Sequence, residues 1–391
     1  MVVKQRAVLF LFALALVWAE GNASSALAQG KTVPVERRGH YFLVMATREN
    51  KPLRLILDSG AGAHVLDLGK ARELGMVAPN AGTGNLIGTG GTVEAEQIQT
   101  GEMRLGEVRL NQGLAFATQL PEALEADGLL GYDLFQQYVV TLDYPKNTVT
   151  FASPKEYKAP AGAEVLPLRV RRRIPQIEIE LDGVKAWVEV DTGSNGSVDF
   201  NTPFVEKNNL RSQYTKRLEI PSGRGIGGIT YGDITRARSL KLGSFVVDTP
   251  LLELSRQTTG GDSEDNVAGR IGAEVLSRFT VTLDYSGNRM YLQKGPNFAK
   301  PFPYNRTGVS VDRDKNAYTV VHVIEGSPGA EAGIRAGDEL IALDGVPVNK
   351  ISSYDLRDRF RAAPGTVLRL LVRSKDNPTP REVTLTLKDL I

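Results

Sequence analysis

Two short stretches, Ile56-Leu57-Asp58-Ser59-Gly60-Ala61 and Glu189-Val190-Asp191-Thr192-Gly193-Ser194, decide how this 391-residue chain is to be read. Each reads as an apolar strand that ends in Asp, followed by a small hydroxyl residue and then Gly. An Asp at a strand end projects its carboxylate into a cleft. Gly60 and Gly193 permit a sharp turn and leave their N–H groups free to reach that carboxylate. Ser59 and Thr192 are short enough to bond across to the opposite loop and hold the two in register. Two carboxylates delivered this way can face each other across a local twofold axis. Held that close they cannot both ionise, so they titrate as a unit and carry one proton over a wide range.

The two stretches open a longer repeat. Glycine-rich segments follow them, Ile87-Gly88-Thr89-Gly90-Gly91-Thr92 and Gly225-Ile226-Gly227-Gly228-Ile229-Thr230. Then come Arg104-Leu105-Gly106-Glu107-Val108 and Lys241-Leu242-Gly243-Ser244-Phe245, and after them Gly128-Leu129-Leu130-Gly131 and Gly269-Arg270-Ile271-Gly272. Val140-Thr141-Leu142-Asp143-Tyr144 and Val281-Thr282-Leu283-Asp284-Tyr285 close the series. The offset drifts from 133 at the Asp residues to 141 at the last pair. A single Asp-Ser/Thr-Gly triplet is a common accident of composition; two inside a colinear repeat are not. One carboxylate cannot do the work of the pair, so a site must form where the halves meet, and a tandem repeat supplies both from one chain.

Both halves read as strand-rich. Tyr41 to Ala46 and Leu53 to Leu57 flank the polar turn Arg48-Glu49-Asn50-Lys51. Ile177 to Leu181 alternates, Asp182-Gly183 is a tight-turn dipeptide, and Ala186 to Val190 resumes the strand. Short helices are predicted at Tyr132 to Gln137 and Ala273 to Arg278, and Ala159-Pro160-Ala161-Gly162 marks the boundary between halves. Beyond Pro301 the pattern changes. Ser327-Pro328 is an N-cap with Pro in the first turn. Gly333 ends that turn, Glu339 to Leu343 is a strand, and Asp344-Gly345 makes a hairpin turn. Ser352 or Ser353 caps a helix to about Arg361, and Val367–Val372 and Glu382–Leu387 close the module.

Composition narrows the function classes. A formal net charge of +2 without basic runs argues against nucleic acid. Cysteine is absent, which removes disulfides, thiol nucleophiles and Cys-ligated metals. Lys4 and Arg6 precede an apolar run from Ala7 to Ala19, and Ala26-Leu27-Ala28 has the small-x-small form of a cleavage site. Residues 1–28 therefore read as a signal peptide, shorter than the ~20 apolar residues of a membrane span. That predicts an exported protein, periplasmic or extracellular, with no stable membrane span after cleavage. His64, six residues beyond Asp58, reads as a loop histidine rather than a base. His40 and His322 are isolated, so no zinc site is expected. Asp133, Asp143 and Asp284 read as helix or turn residues. No Gly-Lys-Ser/Thr follows the glycine-rich segments, so they are not phosphate loops.

The run Ser327-Pro328-Gly329-Ala330-Glu331-Ala332-Gly333-Ile334-Arg335-Ala336-Gly337-Asp338-Glu339-Leu340-Ile341-Ala342-Leu343-Asp344-Gly345 resembles a PDZ domain of the bacterial type. The resemblance implies capture of a peptide as an added strand. Its carboxylate loop would lie near Thr307, Gly308, Val309, Ser310 and Val311, opposite the helix from Ser353.

Residues 31 to about 295 resemble the pepsin and retropepsin superfamily of aspartic proteases, most nearly bacterial retropepsin-like enzymes with two fused halves. The implied fold is mainly β: two pseudo-symmetric pepsin/retropepsin-like β-barrel lobes (29–160 and 161–298) plus a C-terminal PDZ domain, a small β-barrel with two helices (301–391). The implied activity is peptide-bond hydrolysis by water activated between Asp58 and Asp191. Ser59, Gly60, Thr192, Gly193 and Ser194 would support the loops, and flaps at Gly88, Gly90, Gly91, Gly225, Gly227 and Gly228 would close over substrate. No metal or organic cofactor is required. Partners would be protein or peptide substrates, including C-terminal tails held by the PDZ domain, and the chain would be a monomer. Ser194 matches a position that donates to the carboxylate in pepsins, whereas Ala61 has no hydroxyl, which predicts milder working pH. Glu189 and Arg270 are charged where the family usually has apolar residues. This leaves room for the alternative reading, a non-catalytic periplasmic peptide-binding or adaptor protein with a degenerate protease fold.

Overall fold

Glu49 and Asn50 both adopt the left-handed conformation, φ 49° and 63°, which is the twist a two-residue hairpin turn needs. They fold strand Tyr41–Arg48 back on Lys51–Leu57 with Arg48 opposite Lys51. Both strands run further than their apolar patterns imply, because only two residues are spent on the turn. Asp182-Gly183 does the same for Ile174–Leu181 and Val184–Asp191. The computed structural model describes residues 30–314 and 317–391; the signal peptide expected at 1–28 lies outside the described residues.

The chain is mainly β. In the first half, Lys51–Leu57 runs parallel to Gly128–Leu130, placing Leu129 beside Ile56. In the second, Val184–Asp191 runs parallel to Gly269–Gly272, placing Arg270 beside Glu189. Each Asp-bearing strand is thus central to its sheet, with the Gly-x-x-Gly segment alongside. Gly131 and Gly272 end those segments where a side chain would strike the backbone of the Asp loop, at Ala61 and Ala63 or at Gly196. Helix Tyr132–Gln137 follows the first as expected; the second helix is shorter than expected, Ala273–Leu276.

The last repeated segments meet each other. Strand Val139–Asp143 pairs antiparallel with Phe279–Asp284, and Thr141 lies opposite Thr282 with Val140 against Leu283 and Leu142 against Val281. The two threonine hydroxyls are 2.8 Å apart. The repeat-equivalent Thr141 and Thr282 therefore face each other, with the flanking pairs reciprocal about them, and both halves share one sheet that also takes in Lys31–Pro34 and Glu164–Arg171. The apolar core is continuous across this seam, from Phe42 and Leu55 through Val140 to Val188, Ile271 and Val281.

A second core, including Val309, Tyr318, Leu340, Leu356, Phe360 and Leu370, belongs to the C-terminal module. Its sheet runs Val309–Asp314, Ala317–Val323, Glu339–Leu343, Val367–Ser374, Asn377–Thr386 in spatial order. Ser327 and Ser352 cap their helices through their side-chain oxygens. Helix Ser353–Phe360 buries Tyr354, Leu356 and Phe360. Arg278 ties down the connector, donating to the carbonyls of Asn297 and Phe298 and stacking over Phe302. No helix among the described residues is long and apolar enough to cross a membrane.

Candidate active site

Ser59 and Thr192 are fully buried at the seam and hold each other crosswise. Thr192 Oγ1 accepts from Ser59 N–H (3.0 Å) and donates to Leu57 O (2.7 Å). Ser59 Oγ accepts from Thr192 N–H (3.1 Å) and donates to Val190 O (2.5 Å). Each hydroxyl satisfies a backbone donor and a backbone acceptor of the opposite half, so neither loop can shift alone. Within each loop the Gly N–H donates to its own Asp, Gly60 to Asp58 Oδ1 and Gly193 to Asp191 Oδ1, both at 2.9 Å.

The interlock brings each carboxylate against the other loop. A Cβ built on Gly60 would stand 2.6 Å from Asp191 Oδ1, and one on Gly193 would overlap the Asp58 carboxylate. Only glycine leaves room at both positions, a second reason for these residues beyond turn geometry. The two carboxyl groups hydrogen-bond to each other, Asp58 buried and Asp191 mostly so, and both are pushed up from the usual carboxylate range, Asp58 the further. Burial is the largest cause for each. The proximity of Asp191 raises Asp58 again, whereas Arg270 opposes the rise at Asp191.

Both glycine-rich segments are hairpin tips. Thr83–Gly88 pairs with Gly91–Gln99, and Leu218–Gly225 with Gly228–Arg236. The tips meet: Gly90 N–H donates to Ile226 O at 3.1 Å, and side chains on Gly88, Gly90 or Gly227 would strike the backbone of the opposing tip. Ile226 packs with Leu86 against a buried group that includes Tyr41, Ile56, Val65 and Leu129.

The two walls differ in chemistry. In the first half Ile56, Leu129 and Val65 sit side by side across three strands. The same register in the second half places Glu189, Arg270, Asp199 and Glu253 in a row. Arg270 is 8% exposed and ion-pairs with Asp262; it lies 4.0 Å from both Asp199 and Asp191. Burial pushes the neighbouring carboxyls up, Asp199 to about 6, Glu189 to about 7 and Glu253 to about 8. The charged residues that strained the resemblance are thus a paired row. Their ion-pair logic is absent from the local sequence pattern, because Asp199, Glu253 and Asp262 come beside Arg270 only once the strands pair and the Asp262 turn folds back.

Other expectations resolve as follows. The Ser194 hydroxyl accepts from Gly196 N–H at 3.1 Å; it is the backbone N–H of Ser194 that supports Asp191, as that of Ala61 supports Asp58. The asymmetry expected from Ala61 therefore does not lie in these backbone contacts. His64 is buried, its Nδ1 accepts from Gly131 N–H at 3.0 Å, and burial pushes it down. Asp143 and Asp284 accept from turn N–H groups, and Asp133 lies in the first turn of its helix. Among the described residues no cluster of His, Cys, Asp and Glu is arranged to hold a metal ion.

In the C-terminal module, Gly308 has φ 72° and packs under Ser327, and Val309 N–H is taken by Thr307 Oγ1. Ser310 pairs with His322, and Val311 follows a register shift in the same strand. This strand and the adjoining helix face the first half. Glu125 pairs with Arg313 and accepts from Ser353 N–H at 3.0 Å, and Tyr354 Oη donates to Leu124 O at 3.1 Å. The Tyr354 ring stands edge-on to Tyr41 at 5.8 Å, and Asp312 pairs with Arg224 of the second hairpin. Nothing in the sequence signalled this docking.

Comparison with known proteins agrees with this architecture. Residues 44–134 match the family described as aspartyl protease, and residues 319–374 match the PDZ domain. The chain therefore joins an aspartyl protease domain to a PDZ domain. It is 30% identical over 78 residues to a carboxyl-terminal-processing protease of Synechocystis sp. (strain ATCC 27184 / PCC 6803 / Kazusa), covering 20% of this chain and 18% of that one. It is 40% identical over 55 residues to the Na(+)/H(+) exchange regulatory cofactor NHE-RF1 of Gallus gallus, covering 14% and 16%. The chain spans under a fifth of the length of these curated relatives. Among solved structures, a photosystem II D1 C-terminal processing protease is 26% identical over 21% of this chain and 22% of that chain, with TM-score 0.20.

Proposed function

We propose that this protein is an exported aspartic endopeptidase in which Asp58 and Asp191 activate a water against a peptide bond, and in which the PDZ domain selects or presents protein substrates. The observation that carries the reading is the crosswise Ser59–Thr192 interlock, which sets each carboxylate against the opposing Gly. A pair sharing one proton supplies a base and an acid in contact. The ionised carboxylate takes a proton from water while the protonated one gives its proton to the scissile carbonyl oxygen. The oxygen of water then bonds to the carbonyl carbon. Collapse breaks the C–N bond, the amine leaves with a proton, and the pair returns to its starting charge. The paired hairpin tips would fold over a bound peptide and keep bulk water out. Capture of a peptide strand by the PDZ domain would raise substrate concentration near the cleft.

The test is cleavage of an unfolded protein by wild type, Asp58→Asn and Asp191→Asn, with and without pepstatin. Both variants should lose at least about a thousandfold in kcat/KM, an estimate from removal of an acid–base partner. Turnover that survives either change, at the wild-type rate, removes the carboxylate pair from the reaction.

A further inference from the structure

A pair of equivalent carboxyls needs something to decide which one holds the proton. We propose that Arg270 decides it here, as a positioning residue that keeps Asp191 ionised and leaves the proton on Asp58. The proposal rests on the hydrolytic reading and deepens it: Asp191 is then the base that takes the proton of water, and Asp58 the acid that meets the carbonyl.

The argument is geometric. Arg270 Nε lies 4.0 Å from Asp191 Oδ2 on the adjacent parallel strand, where Asp191 pairs with Gly272. The guanidinium is buried and fixed from behind by Asp262, so its charge is not spread into water. At this separation an opposite charge favours the ionised carboxylate, and more strongly in a buried site. The equivalent position in the first half is Leu129, beside Ile56 and Val65, so among the described residues no comparable cation faces Asp58. Asp58 is pushed well above the usual range, by burial and by Asp191, in keeping with this assignment.

Other groups around Asp191 do not overturn the bias. Glu189 on its own strand and Asp199 on the neighbouring one are acidic, but burial pushes them up to about 7 and about 6, so both are largely neutral at lower pH. Tyr41, Tyr144 and Tyr285, which face the pair from the first half and from the shared sheet, are all pushed up and stay neutral. Among the described residues, Arg270 is the cation whose charge favours ionised Asp191.

The experiment is a carboxyl 13C NMR titration of the full chain labelled at aspartate, with Asp58→Asn and Asp191→Asn used to assign the two signals. In wild type Asp191 should ionise at lower pH than Asp58. Arg270→Gln should raise the Asp191 midpoint by about one pH unit or more, and Arg270→Lys should retain most of the wild-type value. Asp262→Asn, which frees more of the guanidinium charge for Asp191, should move the midpoint the opposite way, to lower pH. A purely structural role for Arg270 predicts no such opposed shifts. If Arg270→Gln does not fold, the wild-type order and the Asp262→Asn shift decide. Ionisation of Asp58 first, or an unmoved Asp191 midpoint in folded Arg270→Gln or Asp262→Asn, overturns the proposal. The titration needs no turnover, so Arg270 can fail while the cleavage test above still stands, and the converse.

Discussion

Thr192 carries two bonds on one oxygen, and both partners are buried backbone groups of the other strand and loop. Thr192→Ala would leave Leu57 O and Ser59 N–H without partners in a dry seam. Each orphaned group costs about 1–3 kcal/mol, so a loss of about 2–4 kcal/mol is expected in denaturant unfolding, with Thr192→Ser restoring most of it. Ser59→Ala should behave alike, and the two losses should be strongly non-additive because they break one network. Glu253 makes a separate prediction. It accepts from Ser222 Oγ at 2.5 Å, and burial pushes it up to about 8 from 4.5. The folded state therefore binds a proton that the unfolded chain has released, so stability is full below about pH 4.5 and falls as pH rises towards about 8. Glu253→Gln should flatten that decline in thermal melts taken between pH 4.5 and 8.

At the scale of elements, the two hairpin tips are matched backbone to backbone. Gly227 has φ 93°, and a side chain there would meet Gly91 N, C and O at 2.5–2.6 Å. Gly227→Ala should separate the tips and lower kcat/KM by about tenfold or more, as misplaced closing elements do, while both Asp midpoints stay where they are. An unchanged rate would mean the tips do not need to meet during turnover. These hairpins were legible in the sequence because glycine pairs between alternating strands have few other uses. The central strands were legible from their apolar and alternating patterns, from Ile177 to Leu181 and from Leu53 to Leu57. The charged row was not. Glu189 and Arg270 looked like flaws in a strand pattern, because a buried charged row is recognisable only when the strands carrying Asp199 and Glu253 and the short turn carrying Asp262 are brought beside it.

For the molecule as a whole, the repeat predicted which segments correspond, and the structure adds how they touch. The PDZ domain is the larger surprise. Its own fold was readable residue by residue from Ser327 to Gly345, yet its seat rests on Tyr354 and Arg313 against the first half and on Asp312 against Arg224 of the second, none of which carries a local signature. Tyr354→Ala removes the ring contact with Tyr41 and the bond to Leu124 O; a loss of about 3 kcal/mol or a separate early melting of residues 309–391 is expected by calorimetry. Cutting by a probe protease near residues 295–308 should become faster in that variant. No change in either measurement would mean that the bond from Ser353 to Glu125 and the ion pair of Arg361 with Glu274 suffice to seat the domain.

The antiparallel register that sets Thr141 opposite Thr282 is self-complementary. A surface that pairs with its own counterpart is what a two-subunit assembly requires. Severing the backbone between Ala159 and Gly162 should therefore yield two fragments that remain associated. A gene encoding one repeat by itself would hold the instructions for such an association, which makes a shorter, self-pairing forebear of this chain physically reasonable.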